Sequence, residues 1–125
     1  MSSHCSLAGV IVLVDGRNVE RSRWPNVASE ELVDAVAQWA SEEGHEAVVV
    51  FDGRAPGPHE DVEIVGTGRE SADDWIAARA AELAARDEPY ELVTSDRELR
   101  RRAGGNAARI TGGGGFLGVL GLSGD

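Results

Sequence analysis

The chain has 125 residues, 42% of them hydrophobic, which is enough for one domain with a buried core. Its single cysteine, Cys5, excludes an internal disulfide and a thiolate zinc site and indicates a reducing compartment. The formal net charge of −10 argues against a broad basic surface for nucleic acid, although an acidic metal site would contribute to that total.

All 12 basic residues are arginines. The lack of lysine excludes P-loop nucleotide hydrolysis and Schiff-base chemistry, because each of them needs that side chain. No apolar segment is long enough to span a bilayer, and no basic start precedes an apolar run of secretory length. The sequence therefore predicts a cytoplasmic protein that has no membrane partner.

Apolar runs rich in β-branched residues alternate along the chain with segments of helical periodicity. The runs typical of strands lie at residues 9–14, 47–51, 62–65, 92–94 and 107–111. Residues 15–26 are expected to form a polar loop, and helices are expected to begin with Ser29, Ser71 and Ser95. The glycine-rich tail is expected to cover the core, with an exposed surface for a homodimer as the alternative. This alternation predicts a doubly wound α/β fold.

Four aspartates follow predicted strands or begin predicted helices: Asp15, Asp52, Asp73 and Asp96. Because parallel strands bring their carboxyl ends to one edge of the sheet, we expect these side chains to converge there. Their repulsion would raise their pKa values, and a hard divalent cation such as Mg²⁺ or Mn²⁺ would relieve it.

Each of these aspartates also has a purely structural explanation. The two that precede glycine could serve only in turns, and the two at helix starts could serve only the helix dipole. Zinc is not expected, because the three histidines, at positions 4, 45 and 59, lie in unrelated segments without ligand spacing.

The motifs around these acids resemble the NYN branch of the PIN-like ribonuclease superfamily, and in particular its YacP-like members. The similar segments are VLVDGRN (12–18), VVVFDG (48–53), ESADDWIA (70–77), LVTSDREL (92–99) and the GGGGFL tail. The resemblance implies a single domain over residues 1–125, folded as a PIN-like three-layer α/β/α sandwich with a mostly parallel central sheet. It also implies a metal-dependent ribonuclease, since several members cut single-stranded RNA and one branch is associated with ribosome-dependent mRNA cleavage.

The same resemblance assigns roles to individual residues. Asp15 corresponds to the metal ligand after the first strand, and Asn18 to its polar companion. Asp73 and Asp96 correspond to the further catalytic acids. Two more acids match metal-binding positions of the family or of related nucleases: Glu70 and Asp52. Arg17 stands where the family usually has an aromatic residue, which bears on the choice of substrate.

Basic residues near these motifs are candidates for RNA binding: Arg17, Arg97, Arg100 and Arg101, together with Arg102. Arginines beside a metal site are well suited to hold phosphates, but a charge run on a short helix is more often a solvated face. Trp24, in the basic stretch after Asp15, could stack on a base or pack against the sheet edge.

The sequence therefore predicts a Mg²⁺- or Mn²⁺-dependent ribonuclease, in endonuclease mode, that acts on single-stranded RNA. Two alternatives remain open. One is a catalytically silent module that binds RNA or the ribosome. The other is a toxin-type PIN nuclease controlled by a partner protein.

Overall fold

A computed structural model describes residues 10–122, which form a five-stranded sheet with helices on both faces. The strands are β1 (Ile11–Asp15), β2 (Glu46–Phe51), β3 (Glu63–Gly66), β4 (Tyr90–Val93) and β5 (Arg109–Thr111). Their order is β3-β2-β1-β4-β5, and every neighbouring pair is parallel. The predicted α/β class is confirmed, and the sheet is parallel throughout these strands rather than mostly so.

The helices are α1 (Gly16–Glu20), α2 (Ser29–Glu43), α3 (Ala72–Ala85), α4 (Arg97–Ala103) and α5 (Gly113–Leu120). Alternate residues of the central strand β1 point to opposite faces of the sheet. Val12 and Val14 pack in one core with α2 and α5, while Leu13 packs in the other with α3 and α4. This division into two cores gives the three layers of the expected sandwich.

Residues 15–26 contain α1, so the prediction of a continuous polar loop was wrong. Tertiary contacts hold this five-residue helix. Gly16 lies so close to the second strand that an added Cβ would stand 2.8 Å from the Phe51 ring. The Arg17 guanidinium donates to the buried carboxylate of Glu20 at 3.1 Å, and the Ser29 hydroxyl donates to the same carboxylate at 2.7 Å. Helices of this length are unstable alone, and the sequence periodicity is too short to reveal them.

The tail covers the core, as expected. Phe116 and Leu117 of α5 are buried, and the Trp39 ring of α2 meets the Phe116 ring edge-on at a centroid distance of 5.1 Å. At the start of α5, an added Cβ on Gly113 would lie 2.1 Å from the hydroxyl oxygen of Ser22. A side chain at position 113 would therefore have to displace the Ser22 hydroxyl, where the start of α5 approaches the segment after α1.

Two neighbouring glycines of α5 test this close approach. We expect Gly113→Ala to lower the free energy of unfolding by about 1–3 kcal/mol, because the new methyl group displaces the Ser22 side chain. Gly114→Ala is the matched control, since nothing lies within 4 Å of its added Cβ. That change should raise stability by up to about 1 kcal/mol through helix propensity. Urea denaturation of both variants measures the difference, and equal effects would show that the contact is unimportant.

Candidate metal centre

The strand order places a crevice between the carboxyl ends of β1 and β4. The chain proceeds from β1 to one side of the sheet and returns to the other side at β4, and such switch points are where α/β sheets bind ligands. Asp15 is the last residue of β1, and Val14 pairs with Val93 at the end of β4. Thr94 follows Val93 directly, so it reaches the crevice beside Asp15.

Thr94 joins the two sides of this crevice. Its side chain is fully buried. Its hydroxyl donates to Oδ2 of Asp15 at 3.0 Å and accepts the backbone N–H of Asp96 at 3.1 Å. Sequence reasoning missed this residue. The available signal was its position, since it follows β4 where Asp15 ends the neighbouring strand.

Asp96 has a structural role as well as a place at the crevice. Its Oδ1 accepts the N–H groups of Glu98 at 2.8 Å and Leu99 at 3.2 Å, so it caps α4. The prediction that Ser95 caps this helix was therefore wrong. The Ser95 hydroxyl instead accepts the N–H of Gly113 at 2.8 Å. Oδ1 of Asp96 therefore has the structural role at a helix start that the sequence allowed.

Asn18 is held against the loop that follows β4. Its Oδ1 accepts the N–H of Ser95 at 2.8 Å, and the Ser22 hydroxyl donates to its backbone carbonyl at 2.8 Å. Its amide oxygen therefore fixes the residue next to Asp96. These contacts make Asn18 a positioning residue in this structure.

The start of α3 brings two further aspartates to the crevice. Oδ1 of Asp52 accepts the N–H of Ala72 at 3.0 Å, which ties the end of β2 to the first residue of α3. Asp73 follows in the first turn and is half-buried. Burial raises the pKa of Asp73, the charge of Asp96 raises it further, and the Arg102 guanidinium lowers it.

Asp15 is the most deeply buried of the four aspartates. Burial, which leaves 6% of the residue exposed, is the main influence that raises its pKa to about 6. The hydrogen bond from Thr94 lowers the pKa, whereas the charges of Asp73, Asp96 and Asp52 raise it. Its carboxylate does not cap α1, so neither a turn nor a helix start explains this side chain.

These carboxylates are close enough for the charge of one to raise the pKa of another, but they do not form a complete set of metal ligands. Within residues 10–122, no three Asp, Glu, His or Cys side chains are placed to hold one metal ion together. Magnesium usually takes only one or two direct carboxylates and keeps several waters, so it does not need such a cage. The donors are all oxygens with excess negative charge, which fits a hard divalent cation.

The remaining candidate ligands are Glu70 and the histidines. Glu70 is exposed in the turn before α3, where its backbone carbonyl accepts a hydrogen bond from Thr67. His59 pairs with Asp34 at 3.4 Å, and His45 lines a cavity of about 400 Å³ at the amino ends of β1 and β2. His4 lies outside the described residues. None of the four aspartates lines this cavity.

Most of the candidate RNA-binding arginines make internal contacts. Arg17 donates to Glu20, to Ser29 and to the backbone carbonyl of Arg54, and its guanidinium lies 5.0 Å from the centre of the Phe51 ring. On α4, Arg100 donates to the Thr94 carbonyl at 2.9 Å, and Arg101 pairs with Glu98. Arg102 pairs with Asp74 at 2.9 Å. The first residue of α4, Arg97, is exposed directly after Asp96.

The sequence profile of the YacP-like NYN domain family matches residues 12–117, so the chain belongs to this family. The family is PIN-like and its members are nucleases, which indicates that the chain is an RNA nuclease. No curated protein matches the sequence. None of the helices within residues 10–122 is long and apolar enough to cross a membrane.

Among solved structures, the chain is similar to Rae1 (YacP) from Bacillus subtilis. One crystal structure, of its W164L mutant, is 25% identical with a TM-score of 0.72, and the match covers 91% of this chain and 76% of that one. Another crystal structure of Rae1 is 26% identical with a TM-score of 0.70, and covers 90% of this chain and 74% of that one. The shared fold extends over nearly all of the present chain.

The raised pKa of Asp15 predicts that the wild type and Asp15→Asn differ in stability by an amount that depends on pH. Well below pH 3.8, the ordinary pKa of the group, the carboxyl is protonated in both the folded and the unfolded chain, so it imposes no penalty. As the pH rises to about 6, the unfolded state loses its proton first and stability falls. At pH 7.5 Asp15→Asn should therefore be more stable than the wild type by up to about 3 kcal/mol, and near pH 4 the difference should be less than about 1 kcal/mol.

Urea denaturation in EDTA at both pH values measures this effect. Asp61→Asn is the control, because Asp61 is exposed and lies away from the crevice, and it should change stability little at either pH. A wild type that is as stable as Asp15→Asn at pH 7.5 would contradict the buried, uncompensated charge.

Proposed function

We propose that this protein is a Mg²⁺- or Mn²⁺-dependent ribonuclease that cleaves single-stranded RNA internally. The observation that carries the proposal is the buried Asp15 carboxyl, which lies at the switch point of a nuclease fold with its pKa raised to about 6. A carboxyl with only a structural role gains nothing from this environment. A site that binds a cation gains a strong ligand once the cation displaces the proton.

Asp15, Asp73 and Asp96 would hold the cation, with Asp52 and Glu70 as further acids nearby. When bound, such a cation acts as a Lewis acid and lowers the pKa of a coordinated water. The chain's own residues orient the site. Thr94 fixes the Asp15 carboxylate, and Asn18 fixes the backbone before Asp96 through Ser95.

Among the basic residues, Arg97 is the best placed to meet a phosphate group. It is exposed at the first position of α4, directly after Asp96. Arg17 and Arg100 would support the site, since their guanidinium groups donate to Glu20 and to the Thr94 carbonyl. Arg101 pairs with Glu98 on the exposed surface, and such a pair is weak, so a phosphate could replace Glu98 as its partner.

The alternative is a catalytically silent module that binds RNA. The observation in its favour is that residues 10–122 contain no ready group of three metal ligands. The two functions differ in one measurement, since a silent module would bind RNA equally well with and without divalent cations and would not cut it.

The adjacent acids Asp73 and Asp74 provide the test of cleavage. Asp73→Asn should reduce cleavage of a single-stranded oligoribonucleotide in Mn²⁺ by about 100-fold or more. Loss of a residue that only supports a metal ligand commonly lowers activity about 10- to 100-fold, and loss of a direct ligand should lower it at least as much. Asp74→Asn is the matched control, because Asp74 pairs with Arg102 on the surface, and it should cut at nearly the wild-type rate.

Circular dichroism would verify that both variants fold, and EDTA should abolish wild-type cleavage until Mn²⁺ or Mg²⁺ is restored. Normal cleavage by Asp73→Asn would exclude the assigned site. An inactive wild type that still binds RNA would favour the silent module.

A further inference from the structure

The loop between α1 and α2 presents an exposed tryptophan. Trp24 is 87% exposed, so it does not pack against the sheet edge, which was one of the two sequence-based interpretations. The other two tryptophans, Trp39 and Trp75, pack against the two cores. An indole ring is among the largest apolar side chains. One that is almost fully exposed to solvent indicates a surface that binds another molecule rather than a part of the protein core.

Hydrogen bonds hold the loop on both sides of Trp24. Beside it, the Arg23 guanidinium donates to the Pro25 carbonyl at 3.0 Å and to the Leu122 carbonyl, beyond the end of α5, at 3.1 Å. Further along, the N–H of Val27 donates to the Glu20 carbonyl at 3.1 Å. A side chain displayed on a fixed loop loses less conformational entropy when it binds a ligand.

The charge of this loop is opposite to that of the protein as a whole. Residues 21–29 contain two arginines, Arg21 and Arg23, and no acid, although the chain carries a net charge of −10. Arg21 is exposed. An aromatic ring next to basic residues is complementary to a single nucleic-acid strand, which offers base faces and phosphates together.

The loop is also continuous with the crevice. Ser22 contacts Asn18, whose Oδ1 in turn holds the residue before Asp96. Trp24 follows Ser22 by two residues, a reach of at most about 7 Å along the backbone. The loop that carries Trp24 is therefore connected, through Ser22 and Asn18, to the residue before Asp96.

We propose that Trp24 is a stacking platform for a base of single-stranded RNA, with Arg21 in contact with a neighbouring phosphate. This inference rests on the proposed function, because it places the same substrate on a second surface beside the site. It predicts that Trp24 sets affinity for RNA without taking part in cleavage.

Binding of a fluorescent ten-nucleotide oligoadenylate in EDTA tests the platform apart from catalysis. Trp24→Ala should weaken binding between about 5-fold and about 150-fold, because base stacking on an aromatic ring has that value. Trp24→Phe should restore most of the affinity, since it keeps an aromatic face. Val119→Ala is the control, because Val119 is another exposed apolar residue, 58% exposed, and it should leave binding unchanged.

Two further measurements complete the test. Arg21→Ala should flatten the dependence of log affinity on log salt by about 0.7, the value for one lost phosphate contact on a single strand. In Mn²⁺, Trp24→Ala should raise KM for RNA and leave kcat unchanged, as loss of uniform binding does.

The outcomes separate this inference from the proposed function. Unchanged affinity of Trp24→Ala, or a wild type that binds no RNA, would overturn the platform, even if Mn²⁺-dependent cleavage is observed. RNA binding that needs Trp24, without any cleavage, would uphold the platform and refute the nuclease. A change in oligomeric mass without a change in RNA affinity would assign Trp24 to a protein interface and also overturn the inference.

Discussion

The arrangement at the carboxyl edge of the sheet depends on the Thr94 hydroxyl. It is fully buried, and it donates to Asp15 while it accepts the N–H of Asp96. A hydroxyl can do both because it has one donor and two acceptor sites. Through these two bonds, the end of β1 and the start of α4 keep a fixed relation, and the Asp15 carboxylate receives a partner that its burial would otherwise deny it. Without that bond, the pKa of Asp15 would rise still further above its ordinary range.

The fold compensates part of the charge that it gathers. Helices α3 and α4 both begin at the crevice, so the positive ends of their dipoles point toward the acids. Asp52 and Asp96 also accept N–H groups at these two helix starts, which satisfies donors that would otherwise lack partners. The acids are thus useful to folding even before any cation binds. The charges of Asp15 and Asp73 are compensated only in part, since the pKa values of both stay raised. An arrangement that costs stability in this way is common at functional sites.

Much of this fold could be predicted from the sequence, because strands buried on both faces form continuous apolar runs such as residues 47–51. The same reasoning located all four aspartates, since strand ends and helix starts follow from local patterns. It failed where tertiary contacts decide. The helix α1 exists because Gly16 fits against Phe51 and because Glu20 is buried beside Ser29 and Arg17, and none of these pairs is local except Arg17 with Glu20.

The arginines show the same limit. The pairing of Arg101 with Glu98 has the i,i+3 spacing and could have been read from the sequence. The pairing of Arg102 with Asp74 joins two helices and could not. A run of four basic residues therefore resembles a binding surface in sequence, while in the structure two of them neutralise acids.

Asp73 and Asp74 show how adjacent positions in a helix can place two acids in different surroundings. Successive helical residues point about 100° apart, so two neighbouring acids meet different surroundings. Asp74 meets the Arg102 guanidinium at 2.9 Å on an exposed surface, where an ion pair contributes little and is screened by salt. Asp73 meets the crevice, where burial and the charge of Asp96 raise its pKa more than the same arginine lowers it. Arg102 thus pairs with one acid and only moderates the other. The arginines of α4 therefore do not balance the negative charge of the aspartates at the crevice. A divalent ion held by Asp15 and Asp73 would balance it at short range.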